Sequence, residues 1–328
     1  MEKDRKTAHL SITVASLTLK RPKMVEVLLN SLGSMDVPEN CTVCCLIVEN
    51  DTAPVTQSLV EEMDPLPNGL ALHYALETEP GIPFARNRAA KEAIARGDDL
   101  LAFIDDDEIV AKDWLVQMVD GYRAGEAILL GGPRRIAPPL DGLSTLENVM
   151  HNNITANFRA MEDRAAATST FNQTPEVQVY TNNWLAETRL FSELGIWFDE
   201  AMRFTGGTDS KLCTVAKEKG LSVGWVSGAY VYETLTRDRL SFVYQHGRAR
   251  DQINNLFHRR LKKQPLLRIS LLLRLPIKGI EIVVLAISVP LTRGKTLLRL
   301  AKTTGWVSGR VGAALGIRSK LYSKITGD

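Results

Sequence analysis

Three apolar runs set the limits on this fold. LSITVAS (10–16) reads as a strand, TVCCLIV (42–48) is a near-continuous apolar run rich in β-branched residues, and LLAFI (100–104) is apolar throughout. A strand with one wet face alternates polar and apolar residues; a strand covered on both faces does not. Helical segments separate the runs. Pro22 opens one that runs through MVEVLLNSL to Gly33, and Pro83 opens FARNRAAKEAIAR, which stops at Gly97. A short helix over 55–63, a strand at 70–76 (LALHYAL) and a helix over about 112–122 complete the pattern. Such alternation predicts an α/β fold, a mostly parallel, doubly wound, Rossmann-like sheet. Ligands of these sheets lie beyond the carboxyl ends of the strands.

After residue 126 the periods loosen. AILLGG reads as a strand, PRRIAPPLDG as irregular, and 143–170 as partly helical. VQVYTNNWLAETRLFSELG reads as a strand, a loop and a short helix. A Gly-containing loop then feeds a helix in MRFTGGTDSKLCTVAKEKG, and LSVGWVSGAYVYET supplies one or two strands. No internal repeat or low-complexity tract is present.

Charge divides the chain at about residue 257. The 328 residues carry +2, yet 257–328 hold fifteen Lys/Arg against two Asp/Glu, so this tail carries +13 and the remainder −11. One globular domain over 8–256 with a basic, apolar helical tail over 257–328 is the expected organisation. The longest charge-free stretch of the tail is IVVLAISVPLT, eleven residues from Ile282. A spanning helix needs about 20. A tail lying on an anionic membrane surface, its arginines reaching phosphate headgroups, fits better than one that crosses, and ahead of helices merely packed on the body. No nucleic-acid partner is expected. Three of the four cysteines, Cys41, Cys44 and Cys45, fall on or beside one strand, where neighbours point to opposite faces. Buried reduced thiols in a cytosolic protein follow, and the charged N-terminus shows no secretory signal.

Three stretches could carry chemistry. In AFIDDDEIV, Asp105, Asp106, Asp107 and Glu108 follow a buried strand directly. Asp105 and Asp107 project the same way in an extended segment and could serve a nucleotide and a divalent cation, Mg²⁺ or Mn²⁺. Asp106, between them, points away and is structural or exposed; Glu108 receives no chemical role. A solvated acidic loop is the plain alternative. In EPGIPFARN, Arg86 sits on the first turns of a helix on the ligand side, as a phosphate partner or a structural ion pair. In TGGTDSKL, Asp209 opens a helix, as an N-cap or a general base, with the cap favoured locally.

Taken in order, SITVAS with RP after it, LIVEND, PGIPFARN, FIDDDE, TNNWLAETRLFSELGIWFDE and TGGTDSKL resemble family 2 glycosyltransferases over residues 10–250. The likeness is greatest to the bacterial exopolysaccharide branch that includes succinoglycan-type glucosyltransferases. The resemblance implies a single GT-A nucleotide-sugar domain and an inverting, metal-dependent transfer. It assigns Glu49 or Asp51 to the base or ribose, and Arg86 to the donor. Asp105 and Asp107 match the family's DxD, with Asp105 towards the nucleotide and Asp107 on the metal. Asp106 joins the donor-binding set as the middle of that motif. Asp209 matches the catalytic base, and Glu233 of YVYET takes the later metal-ligand position where relatives often have His. Thr208 stands where the family usually has Glu, and YQHGRAR (244–250) lacks the Trp of the processive QxxRW motif, so addition of one sugar is expected. The implied partners are a nucleotide-sugar, such as a UDP-sugar, and a lipid-linked saccharide at the cytoplasmic face of the bacterial inner membrane, where the protein would be peripheral or monotopic.

Two rivals remain. A nucleotidyltransferase also needs acidic metal ligands on such a sheet, but VASLTLKRPK lacks a Gly-rich phosphate loop. A catalytically silent, membrane-tethered scaffold of the same fold would bind donor without turnover.

Overall fold

A computed structural model describes Arg5 and residues 7–171, 177–203, 206–264 and 266–319. The first half follows the alternation closely: β1 (Leu10–Thr18), α1 (Pro22–Leu32), β2 (Cys41–Glu49), α2 (Gln57–Glu62), β3 (Ala71–Leu76), α3 (Ile82–Arg96) and β4 (Leu100–Asp105). Then come β5 (Glu108–Val110), α4 (Trp114–Ala124), β6 (Leu129–Gly131), β7 (Arg134–Ile136), α5 (Thr145–Phe171), β8 (Asn183–Glu187), α6 (Arg189–Ser192), α7 (Thr208–Glu218), β9 (Val223–Trp225) and β10 (Val231–Glu233). Three helices close the chain: α8 (Phe242–Lys263), α9 (Leu267–Leu291) and α10 (Leu297–Ala314).

The main sheet has the order β3-β2-β1-β4-β8-β6-β9. β3, β2, β1 and β4 run parallel, as do β6 and β9, while β8 lies antiparallel between β4 and β6. The sheet is therefore mixed, though mostly parallel. One buried cluster includes Ile12, Val14, Cys45, Leu100 and Ile104 with Val25, Leu28, Trp114 and Met118 of α1 and α4. The opposite face carries Ala15, Leu46, Leu101 and Phe103 with the alanines of α3 and Leu212 and Ala216 of α7. Burial on both faces explains the unbroken apolar runs. A second sheet, β5-β10-β7, stands at the carboxyl edge of the first.

Several sequence readings need correction. The strand of the VQVYTNNWLAE segment is NWLAE, not VQVY. Trp184 draws it inward, stacked on Phe103 at 5.5 Å and edge-on to Phe198 and Phe191. Arg134–Ile136 pairs with β10 although PRRIAPPLDG reads as irregular. Residues 145–171 form one continuous helix. The four cysteines are free, but Cys41 and Cys44 are only partly buried; Cys45 and Cys213 alone are fully inside. Residue 257 falls within α8, where Phe257 is buried against Leu271 of α9 and Ala313 of α10. No helix among the described residues is long and apolar enough to cross a membrane.

Trp184→Ala removes the ring at the centre of the aromatic stack. Urea denaturation is expected to show a loss of roughly 3–5 kcal/mol. A loss under about 1 kcal/mol would show that the stack does not anchor β8.

Candidate active site

Strand register assembles the site. Thr18 pairs with Glu49, and Leu17 with Asp105, so the carboxyl ends of β1, β2 and β4 finish side by side. The antiparallel β8 begins there too, with Asn183 beside Ile104. Residues 105–108 thus leave the main sheet and enter the small one through β5.

The four acidic side chains have four different surroundings. Asp106 is buried; Thr18 Oγ1 donates to it at 2.9 Å and Arg21 Nη1 at 3.1 Å. Burial pushes its carboxyl up, against the pull of Arg21. It does point away from its neighbours, and it is structural rather than exposed. Its oxygens already engaged, it is a poor donor contact. Glu108 is 1% exposed and is directly opposite Glu233 across the β5–β10 pair. Facing like charges destabilise a sheet unless a cation intervenes. Arg134 is that cation, with Nη1 at 3.2 Å from Glu233 and 4.0 Å from Glu108. Asn182 donates to Glu108 at 3.0 Å. Burial, then the Asp105 charge, holds the Glu108 carboxyl well above the usual range. Asp107 is paired with Arg239 at 2.9 Å, and the same guanidinium donates to Glu233 Oε1 at 2.9 Å. Asp105 is pushed up to about 7, first by burial and next by the Asp107 charge, with Arg86 and Arg134 pulling back.

Glu233 is consequently not an open metal position: both of its oxygens go to arginines. Among the described residues no three His, Cys, Asp or Glu side chains converge to hold an ion. The donor set nevertheless suits Mg²⁺ or Mn²⁺ of the kind that keeps one or two carboxylates and completes its shell with waters and substrate phosphates. Asp107, with Asp105 beside it, would supply those carboxylates.

Asp209 is not the N-cap of α7. The cap is Gly207, at φ 77°, and Asp209 follows in the first turn, where its Oδ1 accepts from the Ser210 N–H at 2.7 Å. Gly206 and Gly207 both take positive φ, which an L side chain adopts poorly. Asp209 borders a tight crevice with Thr181, Trp184 and Phe198. Arg86 connects this segment to the acidic run: its Nη1 donates to Thr208 Oγ1 at 2.6 Å and its guanidinium lies 5.4 Å from the Phe198 ring centroid. Thr208 thus takes a specific partner at the place where a Glu was expected.

Glu49 is fully buried. Its Oε2 accepts from Tyr74 OH at 2.7 Å and Thr56 N–H at 2.9 Å, while Oε1 has no partner. Asp51 Oδ2 lies 3.6 Å from Lys20 Nζ without a hydrogen bond. Asn50, between them, was not singled out from sequence. It accepts from the Gly81 N–H at 2.8 Å and donates to Glu77 and Glu79 carbonyls, holding the loop before α3. Asn87 likewise clamps Phe198 through its backbone N–H and carbonyl. Arg134 and Arg239 carried no local signal at all.

Residues 13–185, over half of the chain, match the model of the family described as glycosyl transferase family 2, and the chain belongs to that family. It is a nucleotide-sugar glycosyltransferase with a GT-A-like fold and added C-terminal helices. It is a distant homologue of the succinoglycan biosynthesis protein ExoM of Rhizobium meliloti (strain 1021), 28% identical over 246 residues, 73% of this chain and 71% of the relative. Its fold is similar to that of the mannosyltransferase PcManGT from Pyrobaculum calidifontis, solved with GDP-Man and Mn²⁺. The TM-score is 0.60 at 17% identity, over 94% of this chain and 88% of that one.

Ionising Asp105 is opposed in the folded state. Its stability contribution is fully present below the unfolded value near 4 and falls as pH rises towards 7. Asp105→Asn removes that slope. The variant is expected to be more stable than wild type at pH 8, on the order of 2 kcal/mol, and about equal at pH 4. A constant difference across urea titrations at both pH values would contradict the assignment.

Proposed function

We propose that the protein transfers one sugar from a nucleotide-sugar, a UDP-sugar in the first instance, to a lipid-linked saccharide held at a membrane, in bacterial surface polysaccharide synthesis. Arg86 carries this reading: one guanidinium lies within electrostatic reach of Asp105 and bonded to Thr208, next to Asp209. A donor-side group and a candidate base are thereby fixed in one frame.

Asp107 would hold Mg²⁺ or Mn²⁺ with the donor diphosphate, and Asp105 would face the nucleotide. Glu49 Oε1 and Asp51 Oδ2, neither of them hydrogen-bonded, would accept from N–H or O–H groups of the base or ribose. A bound divalent cation supplies positive charge to the departing diphosphate. Arg86 adds a fixed cation to the same side. Asp209 takes the proton of the acceptor hydroxyl as its oxygen forms the bond to the anomeric carbon. The bond to the nucleoside diphosphate breaks on the opposite face and its electron pair leaves with that group. A single displacement of this kind inverts the anomeric centre. Phe198, Trp184 and Thr181 border the base and restrict water around it.

The membrane part rests on the tail. α9 presents a row of exposed apolar side chains, Ile269, Leu273, Ile277, Ile280, Val284 and Ile287, each more than half exposed. They recur at three- and four-residue spacing and so share one helix face. No segment of this tail among the described residues is suited to crossing a bilayer.

A panel of UDP-, GDP- and dTDP-sugars with Mn²⁺ should yield one donor that is turned over. Asp209→Asn is expected to lower kcat by roughly 10²–10⁴-fold with donor binding retained, and Asp107→Asn to weaken donor binding. Undiminished transfer by both variants would refute the residue roles; binding without turnover by the wild type would favour the silent scaffold.

A further inference from the structure

The three tail helices bring three guanidinium groups together with no acid paired to them among the described residues. The guanidinium carbon of Arg310 of α10 lies 4.1 Å from the Trp306 centroid and 4.9 Å from that of Phe257 in α8. Its Nε is buried and has no hydrogen-bond partner. Phe257, Leu271 and Ala313 pack together, and Arg260, Arg274 and Arg310 each stand three residues from one of them on the same helix, which brings the three guanidinium groups to one end of this contact. Burial first, then repulsion by Arg274 and Arg260, holds Arg310 below the ordinary arginine range. None of the three makes an ion pair among the described residues. The acid that could have served is committed elsewhere. Glu281 is the only acidic residue between 257 and 319, and its two oxygens accept from Lys278 at 2.6 Å and Arg299 at 3.0 Å.

Fixed, uncompensated guanidinium groups are costly to gather and favour a multivalent oxyanion. Contact of Arg310 with the faces of Trp306 and Phe257 restrains it before any ligand arrives. Their position gives the oxyanion a source. Arg274 follows Leu273 of the exposed apolar row and is itself exposed, about 100° round the helix from it. The cluster therefore borders the apolar face of α9. An apolar strip flanked by cations matches the boundary between acyl chains and phosphates of a lipid layer.

We propose that Arg260, Arg274 and Arg310 form a binding site for the phosphate headgroup of an anionic lipid, which seats α9 flat on the membrane. This deepens the membrane reading given above and rests on it. The site is separate from the carboxylate cluster, so it can be emptied without touching the proposed donor or base residues.

The test uses the full chain sedimented with phosphatidylcholine vesicles, alone or with phosphatidylglycerol, at fixed salt. Binding is expected with phosphatidylglycerol and to fall by at least tenfold without it. At about 1 kcal/mol for each basic residue near a charged surface, Arg274→Gln with Arg310→Gln should lower partitioning by roughly 30-fold. Arg274→Gln alone, at an exposed position, should lower it about fivefold and leave the circular dichroism spectrum unchanged. Arg268→Gln with Lys295→Gln, two exposed cations outside the cluster, should have a smaller effect than the cluster pair. Equal losses from the two pairs, or equal binding to neutral vesicles, would overturn the site. Displacement of the bound protein by millimolar inorganic phosphate, at constant ionic strength, would make it a free-phosphate site and overturn the lipid assignment. Donor turnover in detergent should persist in the Arg274 variant, so failure here and failure of the transferase reading are told apart.

Discussion

Everything at the ligand edge depends on two arginines placed among buried carboxylates. Glu108 and Glu233 face each other across β5 and β10, where two like charges with no cation between them destabilise the pairing. Arg134 lies between them, and Arg239 joins Glu233 to Asp107. Buried ion pairs contribute little net stability, because desolvation offsets most of the attraction, but removing one partner costs about 3–5 kcal/mol. The cluster is better understood as a fastener. It fixes the small sheet against the end of β4 and sets where Asp107 can point. Of the carboxylates in the run, Asp107 shares its cation with Glu233 at the edge of the cluster, while Asp106 and Glu108 are sealed inside.

The rest of the site hangs on backbone register and two asparagines. Parallel pairing of β1 with β2 and β4 delivers Glu49, Thr18 and Asp105 to one edge. Asn50 then ties down the loop before α3, and Asn87 holds Phe198, against which Arg86 packs. Arg86 in turn reaches the start of α7, where Gly206 and Gly207 allow the tight entry that presents Asp209. Two distant stretches of sequence are thus coupled by one guanidinium.

What could be read in advance follows from range. The parallel half announced itself because double-sided burial leaves unbroken apolar runs, and Pro22, Pro83 and Gly97 mark helix ends by local sterics. The acidic run does follow the carboxyl end of β4, where the adjacency of the apolar run and the carboxylates placed it. Asp106 was legible by strand alternation. The antiparallel β8 was not, because VQVY has the better strand composition and only the tertiary stack around Trp184 selects NWLAE. Arg134, Arg239 and the burial of Glu108 were hidden for a similar reason: ion pairs between remote segments leave no period in the chain. Asp209 read locally as a cap, and the glycine before it took that place instead.

The central claim is that Asp107 holds a divalent cation together with the donor diphosphate. Calorimetric titration of the candidate nucleoside diphosphate, with and without Mn²⁺, tests it most directly when repeated on Asp107→Asn. The account predicts that Mn²⁺ tightens binding to the wild type by at least tenfold, and that the variant loses this gain while keeping its fold. Equal affinity with and without Mn²⁺ in the wild type, or an undiminished Mn²⁺ effect in the variant, would contradict it.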